Sequence, residues 1–296
     1  MMRPSRSYLY VPGDRPEMFP KAVASGADTV VIDLEDAVLP ERKEMARRSI
    51  REWYDPAGPT EIVVRINSAA GDPSVLYADL ELCAELALPG FFIPKAERPQ
   101  DVAAVDAVLS YLEHRHGREH GSIEIGLILE TARAVTNCAG LVEASSRVAC
   151  IAAGGGRDGD TARSIGYRWT REGDETIYLR GRILLEARAA GVRHPVYSGW
   201  MEVRDLDGLE RDAIRTRNLG YAGQMVIHPS HVPVCNRVYA PGEAELQHLR
   251  RVVRLFEQAE RQGKAAIEVD GSLIDLAMVR TARETLSRFD HEGEQK

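Results

Sequence analysis

Short, nearly continuous apolar runs recur along the first 230 residues, and helix-like segments separate them. Examples are the run TVVI at 29–32 and the run IGLIL at 125–129. Runs that do not alternate with polar residues are typical of parallel strands buried on both faces. About eight such runs alternate with helical segments, so the sequence predicts an α/β fold, a (β/α)8 TIM barrel over residues 1–230.

A doubly wound parallel sheet is the alternative fold for the same alternation. Its nucleotide-binding form carries a GxGxxG turn after the first strand, whereas residues 12–16 read PGDRP. The glycines at 154–156 are not followed by Gly-Lys-Ser or Gly-Lys-Thr, so they do not indicate a P-loop either. The barrel is therefore favoured.

Beyond residue 230 the pattern changes to mainly helical segments. Residues 242–262 are charged and amphipathic, a short extended piece is expected near 265–269, and residues 271–275 lead into a last helix. This tail, 231–296, is predicted to be a C-terminal helical extension that packs on the barrel or on a neighbouring subunit. Residues 290–296 are expected to be disordered, as terminal residues often are.

Composition excludes several classes of function. The 296 residues carry a formal net charge of -7, which argues against nucleic acid as a partner. No apolar run approaches membrane-spanning length, and the first residues lack the apolar region of a signal peptide. The four cysteines form no CxxC pair and are expected to be core residues, which favours a reducing, cytoplasmic location.

Polar residues follow nearly every predicted strand, at the end where such barrels carry their chemistry. Glu130 follows the fifth run, and Asp158 and Asp160 lie in the sequence GGGRDGD after the sixth. Two carboxylates from adjacent strand ends suit Mg²⁺, which takes oxygen ligands and keeps several waters for a substrate. The alternative is that these acids are helix caps or loop charges. The other strand-end residues that are candidates for binding a substrate are Arg15, Glu35, Asp36, Arg65, Lys95 and His228.

Each of these residues also has a purely structural interpretation. Arg65 could pair with Glu35 or Asp36, Lys95 could be a solvated strand end, and His228 could be a packed core histidine. These interpretations do not explain why so many strands end in charged residues. A ring of acids with one arginine and one lysine suits an anionic substrate chelated to a metal.

Several motifs of the chain also occur in one known family. On these motifs the sequence resembles the citrate lyase β-subunit-like branch of the HpcH/HpaI aldolase superfamily, from about residue 6 to 288. The two opening motifs are specific, because chance would not give both in order. The motifs are RSYLYVPGDRP at 6–16, ADTVVIDLEDAV at 27–38, VRIN at 64–67, IPKAE at 93–97, LETAR at 129–133, GQMVIHP at 223–229 and DGSLID at 270–275.

The resemblance implies a TIM barrel that assembles as a homotrimer and binds Mg²⁺ through one Glu and one Asp. Glu130 matches the first ligand. The family's short Gly-x-x-Asp turn is longer here. The spacing to the next helix favours Asp160 as the second ligand, whereas the count from the strand favours Asp158, and Asp160 is the predicted ligand. Arg65 matches an arginine that holds substrate oxygens. Asp275 matches an acid that, in citramalyl-CoA lyase-like members, reaches the neighbouring subunit's site.

The resemblance also implies an activity: Mg²⁺-dependent cleavage or formation of a 3-hydroxy-acid acyl-CoA thioester such as citramalyl-CoA or malyl-CoA. The partners would be the CoA thioester and a 2-oxo acid. Alternatives are a citrate lyase β subunit acting on citryl-acyl-carrier protein, or a non-catalytic binding or regulatory barrel, which the lengthened turn at 154–160 keeps open. The expected catalytic residues are Arg65 and Asp275. The expected substrate-binding residues are Arg15, Glu35, Asp36, Arg65, Lys95 and His228.

Overall fold

The computed structural model describes residues 1–289. Eight parallel strands close into a barrel in chain order, which confirms the predicted (β/α)8 fold. The expectation of disorder at 290–296 lies outside the described residues. The strands are β1 (Ser7–Pro12), β2 (Thr29–Asp33), β3 (Glu61–Arg65), β4 (Gly90–Pro94), β5 (Glu124–Leu129), β6 (Val148–Gly154), β7 (His194–Ser198) and β8 (Gly223–Val226).

Helices connect successive strands, as the alternating pattern predicts. Within residues 1–289, no helix is both long and apolar enough to cross a lipid bilayer. The helices are α1 (Phe19–Ala24), α2 (Lys43–Trp53), α3 (Pro73–Leu86), α4 (Pro99–Arg115), α5 (Ala132–Thr136), α6 (Cys138–Glu143), α7 (Asp160–Ile165), α8 (Ile177–Ala189), α9 (Leu206–Leu219), α10 (Val232–Tyr239), α11 (Glu243–Glu260) and α12 (Leu276–Phe289).

Strand side chains divide between two apolar layers, because successive residues of a strand point to opposite faces. In β2, Val31 belongs to the cluster that fills the barrel interior. Val30 and Ile32 belong to the outer cluster, which also contains Ile50 of α2 and Leu80 of α3. Burial on both faces explains why the strands read as unbroken apolar runs. The carboxyl ends of all eight strands are left to carry polar residues at one face.

The chain divides into two compact units, Met1–Tyr239 and the residues from Ala240 onward. Helix α10 packs against α9 and against β1 and β8, so it belongs with the barrel. The expected division after residue 230 therefore falls too early. The sequence pattern alone does not show this boundary, because an amphipathic helix has the same apolar pattern whether it covers a barrel or begins an extension.

The second unit is not purely helical, which corrects part of the prediction for the tail. An extended piece was expected near 265–269 and is present as β9 (Ala266–Val269), but residues 272–275 form a second strand, β10 (Ser272–Asp275), antiparallel to it. The connecting residues Asp270 and Gly271 both have positive φ angles, 53° and 78°. An Asp-Gly pair of this kind is typical of a tight hairpin turn. Helix α12 then starts directly after the hairpin.

A small apolar core holds the second unit together. Val252 and Phe256 of α11, Val269 of β9, Ile274 of β10 and Val279 of α12 are all buried within one cluster. The hairpin and the two helices therefore share a core of their own.

Candidate active site

A cavity of about 410 Å³ opens at the carboxyl ends of the barrel strands. Its volume is in the range of small-molecule binding sites. Six of the lining residues are charged, and most of the others are apolar or glycine. The lining residues are Tyr10, Val11, Pro12, Asp33, Asp36, Ala37, Arg65, Ile128, Glu130, Gly154, Gly155, Gly156, Arg157, Gly159, Asp160, Thr161, Ser198, Met201 and Ile227.

Arg65 is the best-anchored cation of the wall. The β2–β3 register pairs Arg65 with Asp33, and the guanidinium donates from Nε at 2.7 Å and from Nη2 at 2.5 Å to the two carboxylate oxygens of Asp33. Its Nη1 lies 3.1 Å from Oε2 of Glu35, and its central carbon lies 5.1 Å from the Tyr10 ring centre. Burial raises the pKa of Glu35, and the Arg65 charge opposes that shift. Arg65 is thus a fixed donor and not a free side chain.

Lys95 links acids from two other strand ends. It follows β4 with a left-handed φ of 55°, and its ammonium lies 2.7 Å from Glu35, 2.7 Å from Asp36 and 3.2 Å from Asp160. Burial opposes the charge on Lys95, but the hydrogen bonds to Asp36 and Glu35 outweigh it and raise the pKa of Lys95. The interpretation of Lys95 as a solvated strand end is therefore wrong. Lys95 and Glu35 contact lining residues without being part of the wall.

A supporting network that the sequence did not reveal fixes the turn after β2. The Lys43 ammonium donates to the carbonyl oxygens of Leu34 at 2.9 Å and Glu35 at 3.1 Å, and to Oδ1 of Asn67 at 2.5 Å. The Asn67 backbone N–H and side chain in turn donate to Asp79. Lys43 lies in α2, and only the tertiary packing of that helix brings it under the turn. No motif or spacing could have indicated this role.

Glu130 follows β5 and faces the cavity with an unpaired oxygen. Its Oε1 atom is buried and has no hydrogen-bond partner among the described residues. Burial, partly opposed by the charge of Arg65, raises the pKa of Glu130 to about 8. A side chain at Gly154 would come within 3.0 Å of Glu130 and 2.6 Å of Thr161, so glycine lets the next loop close against Glu130.

The structure places Asp160, and not Asp158, in the cavity wall. Asp160 is the first residue of α7, and its carboxylate lies 3.2 Å from Lys95 and 2.6 Å from Arg163. Asp158 is exposed, with a φ of 53°. Of the two acids left open by the sequence, Asp160 is the one that shares a cavity with Glu130.

Of the other predicted site residues, Arg15 and His228 lie outside the cavity wall. Arg15 is exposed, and its closest described acid is Glu17 at 3.8 Å. His228 is also exposed and contacts Ser230, so the interpretation of His228 as a packed core histidine is wrong. Asp275 belongs to the second unit, where its carboxylate accepts hydrogen bonds from the backbone N–H groups of Ala277 and Met278 in the first turn of α12.

Comparison with known proteins decides the family. Residues 6–229 match the HpcH/HpaI aldolase/citrate lyase family. The chain belongs to this family. It is 32% identical over 291 residues to a (3S)-malyl-CoA thioesterase of Cereibacter sphaeroides (strain KD131 / KCTC 12085), covering 97% of this chain and 95% of the relative. It is 30% identical over 295 residues to citrate lyase subunit beta of Escherichia coli (strain K12), and the match covers 98% of this chain and 95% of the relative.

A solved structure agrees with the sequence relatives. The crystal structure of CitE from Mycobacterium tuberculosis, in complex with magnesium, acetoacetate and coenzyme A, matches with a TM-score of 0.73 and 29% identity, over 95% of this chain and 97% of that chain. The resemblance inferred from the motifs is therefore confirmed. The protein is an enzyme of the carbon–carbon lyase class, and its relatives are CoA-related lyases and thioesterases.

Proposed function

We propose that this member of the HpcH/HpaI aldolase/citrate lyase family is a Mg²⁺-dependent lyase for 3-hydroxy-acid acyl thioesters. Substrates of the malyl-CoA or citramalyl-CoA type would be split into a 2-oxo acid and a shorter acyl thioester. The observation that carries the proposal is one cavity that contains Glu130 with its unpaired oxygen, Asp160 and the anchored Arg65.

The donor set of this cavity fits Mg²⁺. Glu130 and Asp160 supply two carboxylates, and enzymes commonly bind Mg²⁺ through one or two carboxylates plus water and substrate oxygens. Over residues 1–289, no three His, Cys, Asp or Glu side chains form a closed metal cluster, so substrate and water would complete the coordination. When bound, Mg²⁺ would polarise the hydroxyl and carboxylate oxygens of the substrate and ease loss of the hydroxyl proton.

Arg65 would act at the thioester end of the substrate. When the bond between the hydroxyl-bearing carbon and the thioester's α-carbon breaks, its electron pair moves onto the thioester carbonyl oxygen as an enolate. Arg65 is held in place by Asp33 and Glu35, so it can donate to that oxygen without reorganising. The α-carbon then takes up a proton to give the shorter thioester. The same groups would serve addition in the reverse direction.

Asp275 is assigned to the active site of a neighbouring protomer in a homotrimer, on the strength of the DGSLID motif. Its carboxylate is exposed at the end of the β9–β10 hairpin. In a thioester-hydrolysing reaction, Asp275 would position the attacking water. A partner's Asp275 would thus add a group that the barrel does not supply.

A citrate lyase β subunit acting on citryl-acyl-carrier protein is the second candidate function. The Escherichia coli relative, which matches over nearly the whole of both chains, favours it. Cleavage of CoA thioesters by the isolated chain would separate the two, because a dedicated subunit depends on its carrier protein.

Calorimetric titration with MgCl₂ tests the metal site. We expect Asp160→Asn and Glu130→Gln each to abolish measurable Mg²⁺ binding while thermal unfolding stays cooperative. Asp158→Asn is the matched control, because it removes an equivalent charge two positions away outside the cavity wall. Equal loss of Mg²⁺ affinity in Asp158→Asn and Asp160→Asn would contradict the assignment, as would unchanged affinity in Glu130→Gln.

A further inference from the structure

A second arginine faces the cavity, and the lyase chemistry described above does not use it. Of the described residues that line the cavity, Arg65 and Arg157 are the two cations. Arg65 is committed to Asp33 and Glu35. Arg157 lies in the middle of the loop between β6 and α7, three positions before Asp160, and Gly155, Gly156 and Gly159 of the same loop also line the cavity.

Arg157 is held in a defined orientation. Its Nη1 lies 2.5 Å from Oε1 of Glu202, and its central guanidinium carbon lies 4.5 Å from the Trp169 ring centre. Trp169 packs edge-on against the buried Trp200, whose ring centre is 5.6 Å away. Trp200 is fixed in turn by hydrogen bonds from its indole N–H to two backbone carbonyls. A guanidinium that already stacks on a fixed aromatic ring loses little conformational entropy when a ligand binds to it.

One edge of the Arg157 guanidinium remains available. Glu202 engages Nη1, and the structure gives Nε and Nη2 no hydrogen bond within residues 1–289. These two nitrogens form a parallel fork that can donate to both oxygens of a carboxylate, as Nε and Nη2 of Arg65 do to Asp33. The Arg157 side chain is 46% exposed, so a ligand in the cavity can reach it.

The cavity also indicates where on a substrate this fork would act. A substrate with its hydroxyl and carboxylate at Glu130 and Asp160 has one more substituent on the hydroxyl-bearing carbon. Gly156 directly precedes Arg157 and Gly159 directly precedes Asp160, and both glycines line the cavity without a side chain that would block that substituent. Met201, which packs 3.3 Å from the position of a Cβ at Gly156, supplies an apolar surface beside it.

We propose that Arg157 is a specificity-determining residue that binds a second carboxylate on the acid half of the substrate. The hydroxyl-bearing carbon would then carry a carboxymethyl arm, and the 2-oxo acid released would be a dicarboxylic acid such as oxaloacetate. This inference rests on the proposed lyase activity and makes a citryl-type thioester the preferred substrate over malyl and citramalyl thioesters, which carry hydrogen or methyl at that position. With those substrates Arg157 would make no contact with the acid half.

Calorimetry in the presence of MgCl₂ tests the inference with a matched pair of ligands, freshly dissolved oxaloacetate and 2-oxobutyrate. The two have the same chain length, and 2-oxobutyrate has a methyl group where oxaloacetate has its second carboxylate. For the wild type we expect oxaloacetate to bind at least about tenfold more tightly, as a charge-assisted bidentate pair implies. Arg157→Gln should reduce this ratio to within about twofold while leaving 2-oxobutyrate affinity unchanged.

Two variants distinguish ligand binding from support of the loop. Arg171→Gln is the matched control, because it removes an exposed arginine paired with Asp205 that does not line the cavity, and it should keep the wild-type ratio. Glu202→Gln removes the competing carboxylate, so it should tighten oxaloacetate binding. If Arg157 only anchored the loop through Glu202, then Glu202→Gln and Arg157→Gln would weaken both ligands alike, and the inference would be wrong.

The remaining outcomes separate this inference from the proposed function. Tight binding of 2-oxobutyrate with no preference for oxaloacetate would overturn the role of Arg157 and leave the lyase assignment standing. Failure of both ligands to bind to folded, Mg²⁺-loaded protein would overturn the proposed function and the inference that depends on it.

Discussion

Replacing Arg65 with lysine tests the part of the site that stabilises the reacting thioester. Lysine keeps the positive charge but has a single ammonium group in place of the planar fork. Arg65 contacts both carboxylate oxygens of Asp33, at 2.7 and 2.5 Å, and Oε2 of Glu35 at 3.1 Å. A lysine ammonium cannot satisfy these three oxygens and still point a donor at the thioester oxygen.

The structure allows an estimate of the size of this effect. Removing one preorganised donor to a developing oxyanion costs about 2.7–4 kcal/mol, or roughly 10²–10³ in kcat. The retained charge of lysine recovers part of this, so we expect Arg65→Lys to lower kcat/KM by about 10²-fold, or about 2.7 kcal/mol. The loss should appear mainly in kcat, because the interaction strengthens as charge moves onto the thioester oxygen.

The assay is steady-state release of the 2-oxo acid from the preferred thioester, with thermal unfolding as the check on folding. Arg42→Lys is the matched control: Arg42 is also paired with an acid, Asp14 at 3.0 Å, but it does not line the cavity, and its variant should stay within about twofold of wild type. Near-native kcat/KM for Arg65→Lys, or an equal loss in Arg42→Lys, would refute the role assigned to Arg65.

Two further predictions concern stability and assembly. Arg147→Met should lower the free energy of unfolding by about 3–5 kcal/mol, because it leaves the fully buried Glu113 without its cation. The exposed control Arg115→Met should cost less than about 1 kcal/mol in urea denaturation. Burial opposes ionisation of Glu113, but the Arg147 hydrogen bonds hold the pKa of Glu113 below its ordinary value. The stabilisation is therefore lost as pH falls through the folded pKa, and the difference in unfolding free energy between wild type and Arg147→Met should narrow in acid. A difference that stays unchanged in acid would contradict this cause. Mixing inactive Glu130→Ala and Asp275→Ala protomers should restore part of the activity after subunit exchange. If activity does not return despite proven exchange, or if light scattering shows an active monomer, Asp275 does not serve a neighbouring subunit.

The barrel was predictable because buried parallel strands leave an unmistakable pattern in sequence. Runs such as TVVI at 29–32 are apolar on both faces, since one face meets the interior cluster and the other meets the helices. The turn of the second unit carried a local signal, Asp270-Gly271, that would have predicted a hairpin. The four residues of β10 are too few to show a period, so the sequence pattern alone predicts them as the approach to a helix.

The site was predictable only where residues lie at strand ends. Glu130, Asp160 and Arg65 follow or end strands, and the barrel brings strand ends together. The pairing of Arg65 with Asp33 depends on the register of β2 and β3, which the sequence does not state. Arg157 and Lys43 act through a loop conformation and a helix position, so their roles required the tertiary structure.

Mg²⁺-dependent cleavage of a carbon–carbon bond in an acyl thioester is the activity proposed for this barrel. The most direct test is to incubate the purified chain with malyl-, citramalyl- and citryl-CoA and to measure the 2-oxo acid released, with MgCl₂ or with EDTA. We expect release from at least one thioester in MgCl₂, none in EDTA, and none from the Asp160→Asn variant under either condition. Folded protein that releases no 2-oxo acid from any of the three in MgCl₂, or that releases it equally in EDTA, would contradict the account.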